Sequence, residues 1–279
     1  PFPWGSALSE QEDLADVGWY KRSITLDESW EGRRIFLVVG ASDWETTVWL
    51  DGEEVGKHRG GYVPFSVELT DHIRLGVEQK LVIRVDDKRR DFTLYGKQGY
   101  GNARGIWQTV YLEGRGSTYL EAVHCTPDID REKISIKAIL PEMALDTLSF
   151  QCIIQTGQGP LKANGNINPN STEGEVEISI PNARLWKLDD PYLYDAEVIL
   201  QDDTVNTYFG MRKVSVVNLP WTDYPYVALN NEPIYLQLTL DQSYHSEGYY
   251  TFPSDQFMRD EIERTKAIGL NGIRPHIKV

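Results

Sequence analysis

Cysteine, basic runs and long apolar stretches are all scarce in this chain of 279 residues. Its 2 cysteines, Cys125 and Cys152, are too few for a disulfide framework or a four-cysteine zinc site. They fall on neighbouring predicted strands, so a single bridge stays open, although two buried thiols fit better. The sequence also lacks HExxH, GxSxG and any zinc-spaced Cys/His pattern. It therefore predicts neither a metal nor a cofactor.

Positive charge is in deficit, with 28 Lys and Arg against 42 Asp and Glu and a net charge of -14. A chain of this charge repels polyphosphate, and aspartates flank its densest basic cluster, at residues 88–90. Nucleic acid is therefore not an expected partner. No stretch approaches the roughly 20 apolar residues that cross a bilayer, so no membrane span is expected. The chain begins at Pro1 without an initiator Met, and a bacterial periplasmic, secreted or cytoplasmic location stays open.

Short strands dominate the first part of the chain, with turn signals about every 8 to 15 residues. Asp51-Gly52 directly follows a strand and predicts a hairpin, because Asp-Gly readily adopts positive φ angles. No helical pattern appears in this part. Residues 1–117 are therefore expected to form a jelly-roll-like β-sandwich. Its predicted strands are 20–26, 34–39, 46–50, 62–69, 81–85 and 107–113.

The strand pattern restarts near residue 118 and continues to residue 217. Six or seven strands in about 100 residues are typical of an immunoglobulin-like β-sandwich, here without its Cys-Trp-Cys signature. The polar stretch 157–174, rich in Gly and Asn, is predicted to be the longest loop. The predicted strands are 118–125, 133–140, 148–155, 175–180, 195–200 and 204–217.

Residues 218–279 carry a different pattern, a strand at 230–241, a helix and a second strand at 270–279. Ser254 predicts the helix N-cap, Asp255 lies in the first turn, and Gly269 ends the helix. This order predicts a βαβ unit with parallel strands. We expect it to be the start of a truncated (β/α)8 barrel, with the remaining repeats outside this chain.

Motifs along nearly the whole chain resemble those of glycoside hydrolase family 2, which includes β-galactosidases, β-glucuronidases and β-mannosidases. Each motif alone is weak, but their order along the chain makes the resemblance specific. They are Pro1-Phe-Pro-Trp4, Trp19-Tyr20-Lys21-Arg22, Thr47-Val-Trp-Leu-Asp-Gly52, His58-Arg-Gly-Gly-Tyr-Val-Pro-Phe65, Gly105-Ile-Trp107, Asp190-Pro-Tyr-Leu-Tyr194, Phe209-Gly-Met-Arg212, Leu229-Asn-Asn-Glu-Pro233 and Asn271-Gly-Ile-Arg274.

This resemblance implies a retaining glycosidase, in which two Glu side chains flank the scissile bond of a β-glycoside. In the family both lie on later barrel strands, so they are expected beyond residue 279 and this chain alone is expected to be inactive. The alternatives are a carbohydrate-binding module and a structural or oligomerisation module without catalysis. A homo-oligomer stays open.

Three residues of the barrel-like segment are candidates for substrate binding. Arg274 matches a family arginine at the end of the second barrel strand, where its donors would orient a nucleophilic carboxylate. His276 and Asp241 are expected to bind sugar hydroxyls. The spacing departs from the family pattern, because Arg274 and His276 are one residue closer than usual. The sugar therefore cannot be inherited from the well-known members.

Tryptophans and one glycine-rich loop complete the candidates. Trp19, Trp49 and Trp107 lie in predicted strands and are expected in the core. Trp4, Trp44 and Trp221 lie in less regular surroundings and are candidates for exposure. The loop at 99–105 lacks the spacing of a dinucleotide loop. It is expected to be irregular and to reach toward the active site of a complete enzyme.

Overall fold

Antiparallel strands dominate the fold, as predicted, in a computed structural model that describes residues 1–10, 15–88 and 103–276. The chain separates into two compact units, Pro1–Gly114 with Gln237–Val279 and Arg115–Leu236. The division into three domains at residues 117 and 217 stays a prediction. Most of the predicted loop at 99–105 lies outside the described residues.

The first β-sandwich consists of two sheets with the strand orders β1-β7-β4-β5 and β6-β2-β9, and β3 pairs with β8 beside them. Its strands are β1 (Val17–Ile24), β2 (Arg34–Val39), β3 (Ser42–Asp43), β4 (Glu45–Leu50), β5 (Glu53–Arg59), β6 (Phe65–Glu68), β7 (Gln79–Asp86), β8 (Gly105–Ile106) and β9 (Val110–Arg115).

Side-chain alternation along the strands builds the core of this sandwich. Leu81, Ile83 and Val85 of β7 point inward and are buried, while the residues between them are more exposed. They pack against Leu37 and Val39 of β2 in the facing sheet. Full burial of each such side chain contributes about 1.5–3 kcal/mol, so this core alone stabilises the sandwich substantially.

The second β-sandwich also has two sheets, with the orders β10-β11-β14 and β13-β12-β15-β16. A three-stranded sheet, β17-β18-β19, completes the unit. Its strands are β10 (Ala122–Asp128), β11 (Lys133–Ile139), β12 (Leu148–Ile154), β13 (Leu161–Ile167), β14 (Glu173–Ser179), β15 (Tyr194–Leu200), β16 (Asp203–Phe209), β17 (Val214–Asn218), β18 (Pro225–Leu229) and β19 (Glu232–Pro233).

The prediction of a loop at 157–174 is wrong for the centre of this stretch, because β13 occupies residues 161–167 and pairs with β12. Its small and polar residues hide the strand pattern. Gly165 is needed there, since a Cβ at this position would lie 2.2 Å from Cζ of the buried Phe150 ring. The missing side chain therefore makes room for the fully buried Phe150 ring.

Both cysteines lie at the core of the second sandwich as free thiols, which is the favoured interpretation of the sequence. Cys152 is buried and Cys125 is half-buried. Burial raises the pKa of the Cys152 thiol to about 12, with a smaller contribution from Cys125. Both thiols therefore stay protonated near neutral pH.

A strand–helix–strand unit ends the described chain, as predicted. It consists of β20 (Leu238–Asp241), α1 (Asp255–Ala267) and β21 (Gly272–Pro275), and the two strands pair in parallel. Ser254 caps α1, because its Oγ accepts the N–H of Phe257 at 3.1 Å, and Gly269 follows the helix with a φ of +88°. The first strand is shorter than the predicted 230–241, because Glu232–Pro233 pairs with β18 instead.

Candidate functional site

The carboxyl ends of β20 and β21 bring two of the three predicted site residues together. Asp241 ends β20, and its carbonyl accepts the N–H of His276 at 2.9 Å. Arg274 is exposed and pairs in register with Leu240, so its side chain and that of Asp241 extend from opposite faces of the two-stranded sheet. Within the described part of the chain, Arg274 forms no salt bridge. The roles of all three residues in binding stay predictions.

Asp241 is half-buried and closes a turn at the end of its strand. Its Oδ1 atom accepts the N–H of Ser243 at 2.8 Å, and Ser243 has a φ of +49°. This bond fixes the side chain against its own backbone. A carboxylate carries several lone-pair sites, so it can still accept sugar hydroxyls.

At this end of the sheet, two buried polar atoms have no hydrogen-bond partner among the described residues. They are Nδ1 of His276 and Oε1 of Gln242. A buried polar group without a partner costs about 1–3 kcal/mol, so this end of the sheet is chemically unsatisfied. Gln242 was missed by sequence reasoning, although its position directly after the last residue of a barrel-like strand is a usable signal.

The loop 242–252 continues from this strand end, and His245 organises it. The Nδ1 atom of His245 accepts the N–H groups of Glu247 and Gly248, both at 3.2 Å. Its backbone exchanges two hydrogen bonds with Tyr249, at 2.9 and 2.8 Å. With Nδ1 accepting, the neutral ring carries its proton on Nε2. His245 therefore supports the loop conformation.

The tryptophans of the first sandwich are arranged differently from the prediction. The prediction that Trp19 lies in the core is wrong, since 63% of this residue is exposed. Strand β1 turns Tyr20 inward and Trp19 outward. The Trp19 ring stacks on Trp49 with centroids 5.6 Å apart. Trp4 is only 7% exposed, whereas Trp44 is exposed. One sheet face therefore carries a tryptophan pair in which Trp19 faces solvent and Trp49 is half-buried.

Metal clusters and membrane-spanning helices are both absent from the described ranges. No group of three or more His, Cys, Asp or Glu side chains in residues 1–10, 15–88 and 103–276 is placed to hold a metal ion. In this part of the chain no helix has the length and apolarity to cross a membrane.

Two family models match the chain. Residues 2–115 match a model described as "Glycosyl hydrolases family 2, sugar binding domain". Residues 118–212 match a second model described as "Glycosyl hydrolases family 2".

Known proteins also resemble the chain over most of its length. A β-galactosidase of Thermoanaerobacter pseudethanolicus is 24% identical, covering 95% of this chain and 37% of the relative. A β-galactosidase of Leuconostoc mesenteroides is 26% identical, covering 98% of this chain and 27% of the relative. The crystal structure of a Bacteroides uniformis β-glucuronidase superposes with a TM-score of 0.77 at 22% identity, covering 99% of this chain and 35% of the solved chain. The chain thus spans less than half the length of each of these proteins.

Proposed function

Because this chain belongs to glycosyl hydrolase family 2, we propose that it forms the N-terminal, non-catalytic part of a retaining β-glycosidase of the β-galactosidase or β-glucuronidase type. The names of its relatives support this substrate class, and the small share of their length that it spans supports a role as one part of a longer enzyme.

The apolar surface of the β20–α1–β21 unit is the observation that carries the proposal. Parallel strands are normally buried on both faces, yet here six large apolar side chains of the two strands, the helix and the residue that follows it are exposed. Burying each of them contributes about 1.5–3 kcal/mol, so six give on the order of 10 kcal/mol. Further strands and helices of a (β/α)8 barrel would supply that cover. The exposed side chains are Leu238, Leu240, Met258, Ile262, Ile268 and Ile273.

The chemistry of a retaining glycosidase explains why this chain would be inactive alone. Two carboxylates about 5–5.5 Å apart act as acid/base and nucleophile. The family resemblance implies that both are glutamates on later barrel strands. Turnover by the chain alone would therefore contradict the proposal.

The strand ends of β20 and β21 would contribute substrate binding to the complete site. Arg274 would donate to the nucleophilic carboxylate and keep it ionised. Asp241 would accept hydroxyl protons of the sugar, and the imidazole of His276 would donate or accept a hydrogen bond to them. The amide of Gln242 would extend the same polar edge.

Kinetics of an extended protein, continued through the remaining barrel, test this assignment. We expect Arg274→Met to lower kcat/KM for an aryl β-glycoside about 10- to 150-fold, since a hydrogen bond to a charged group is worth about 1.5–3 kcal/mol. Arg259→Met is the matched control, because Arg259 is an exposed arginine on α1. Equal kcat/KM for both variants would reject Arg274 as a site residue.

Carbohydrate binding by the first sandwich is a second candidate function, and the Trp19–Trp49 pair favours it. Indole faces pack against the CH faces of sugar rings, and Trp19 is largely exposed on a sheet face. In a calorimetric titration of the chain with β-linked oligosaccharides, Trp19→Ala is expected to weaken binding by about tenfold or more. Trp221→Ala, at a fully exposed tryptophan of the other unit, is the control. Binding that is absent or equal in both variants would reject this candidate.

A further inference from the structure

We propose that the first sandwich positions the loop 242–252 through an aromatic clamp, defined as Tyr62, Trp107 and Tyr250, and that Tyr62 is a positioning residue for the site at the ends of β20 and β21. The link to that site rests on the proposed function. The clamp itself is a property of this chain.

Tyr250 is the loop's anchor in the clamp and is only 7% exposed. Its ring meets Trp107 edge-on, with centroids 5.4 Å apart, and lies 5.8 Å from the ring of Tyr62. The Tyr62 hydroxyl donates to the Tyr250 hydroxyl at 3.2 Å. Aromatic pairs of this geometry contribute about 0.5–1.5 kcal/mol beyond their buried area. The loop is therefore held by a specific contact.

Two further hydrogen bonds reinforce the clamp, one from a side chain and one from the backbone. The Thr251 hydroxyl donates to the carbonyl of Trp107 at 2.9 Å. The N–H of Leu8 donates to the carbonyl of Glu247 at 3.2 Å. These bonds join the loop to two separate segments of the first sandwich unit, so the loop cannot shift without breaking several contacts together.

The Trp107 ring is itself fixed by the sandwich. Its Nε1 donates to the carbonyl of Gly61 at 2.8 Å, directly beside Tyr62. A Cβ at Gly61 would lie 2.7 Å from an Asp43 carboxylate oxygen, so a larger residue here would have to displace the Asp43 side chain. Partial burial and the carboxylates of Asp43 and Asp87 raise the pKa of Tyr62 to about 12. Its hydroxyl therefore remains a donor throughout the physiological pH range.

The loop is also tightly packed around Gly248. A Cβ at Gly248 would lie 2.0 Å from the carbonyl oxygen of Thr251 and 2.9 Å from Cδ1 of Leu8. The nine residues from Asp241 to Tyr249 include the His245–Tyr249 bridge. Holding Tyr250 in place thus restricts where Asp241 and Gln242 can lie.

Amide hydrogen exchange of the 279-residue chain tests the clamp without any assay of activity. In Tyr62→Ala we expect the amides of Tyr249 and Thr251 to exchange about tenfold faster or more, because local opening becomes easier. The β2 amides should keep their rates. Tyr111→Ala is the control, since Tyr111 on β9 is similarly exposed and lies outside the clamp. Unchanged loop exchange in Tyr62→Ala would overturn the proposal.

Tyr62→Phe tests the clamp even if the alanine variant destabilises the whole sandwich. It retains the ring and removes only the hydroxyl, so loop exchange should fall between that of the wild type and that of Tyr62→Ala. Faster exchange spread evenly over the loop and β2 in Tyr62→Phe would contradict a local clamp.

The positioning role is measured in the extended protein. We expect Tyr62→Ala to raise KM for an aryl β-glycoside several-fold more than it lowers kcat, with Tyr62→Phe close to wild type and Tyr111→Ala unchanged. An unchanged KM in an active enzyme would refute the positioning role of Tyr62. The existence of the clamp would then be decided by the hydrogen-exchange result. An inactive extended protein would instead count against the proposed function, and the clamp would be judged by exchange alone.

Discussion

Asp203 is the buried carboxylate on which the start of the second sandwich depends most directly. It is 6% exposed and begins β16. Its two oxygens accept the N–H groups of Gly116 and Leu120, at 3.0 and 2.9 Å. Removing the carboxylate in Asp203→Ala would leave both buried donors without an acceptor.

The expected loss follows from these two donors. Each unsatisfied buried N–H costs about 1–3 kcal/mol, so Asp203→Ala should destabilise the second sandwich by about 2–6 kcal/mol. Asp203→Asn keeps the side-chain volume and one acceptor oxygen, so its loss should be about half as large. Asp202→Ala is the matched control, because this neighbouring aspartate accepts exposed hydrogen bonds from Ser117 at 3.3 and 3.4 Å. Its effect should stay within about 0.5 kcal/mol.

Amide exchange of β12 measures these losses within the second sandwich alone. The β12 strand lies at the centre of its sheet, so its slowest amides report opening of the whole sandwich. The free energy of opening should be highest in Asp202→Ala, lower in Asp203→Asn and lowest in Asp203→Ala. Equal values for Asp202→Ala and Asp203→Ala would refute the hydrogen-bond reasoning.

Three other variants or reactions follow from local geometry and charge. Gly105→Ala should destabilise the first sandwich by more than about 2 kcal/mol in thermal unfolding, because φ is +77° and the new Cβ would lie 1.8 Å from Cζ3 of Trp4. Cys152, with its pKa raised to about 12, should resist iodoacetamide at about pH 8 until the protein unfolds. The Arg184 hydrogen bond lowers the pKa of Asp190, so the stability from this pair is present above the unfolded pKa of about 3.9 and is lost as pH falls through the folded value. Asp190→Asn should therefore differ from wild type in urea unfolding near neutral pH and converge with it in acid.

Each of these expectations has a contrary result. An unchanged melting temperature for Gly105→Ala would show that Trp4 moves aside at little cost. Rapid alkylation of folded Cys152 would show an accessible thiolate. A stability difference for Asp190→Asn that stays the same from neutral to strongly acidic pH would show that the ion pair is not its source.

Strand patterns were predictable where apolar and polar residues alternate cleanly. The sequence of β2, at 34–39, and the helix start at Ser254 match the structure because burial and capping leave local signals. The strand β13 escaped prediction because Asn164, Gly165 and Asn166 are typical of loops. Pairing with β12 overrides their local preference.

The candidate site was only partly predictable for a related reason. A position at the end of a barrel-like strand identified Asp241 and His276, whose backbone contact the structure shows. The unpartnered atoms of His276 and Gln242 depend on three-dimensional packing and leave no sequence pattern. The exposure of Trp19 depends on which face of β1 meets the core, and an aromatic residue fits either face.

A glycosidase assay of the 279-residue chain beside a version extended through the remaining barrel tests the central claim most directly. The panel contains aryl β-galactoside and aryl β-glucuronide, and circular dichroism confirms that both proteins are folded. The account predicts turnover by the extended protein and none by the chain alone, with the preferred glycoside naming the sugar. Turnover by the chain alone, or no turnover by a folded extended protein, would contradict it.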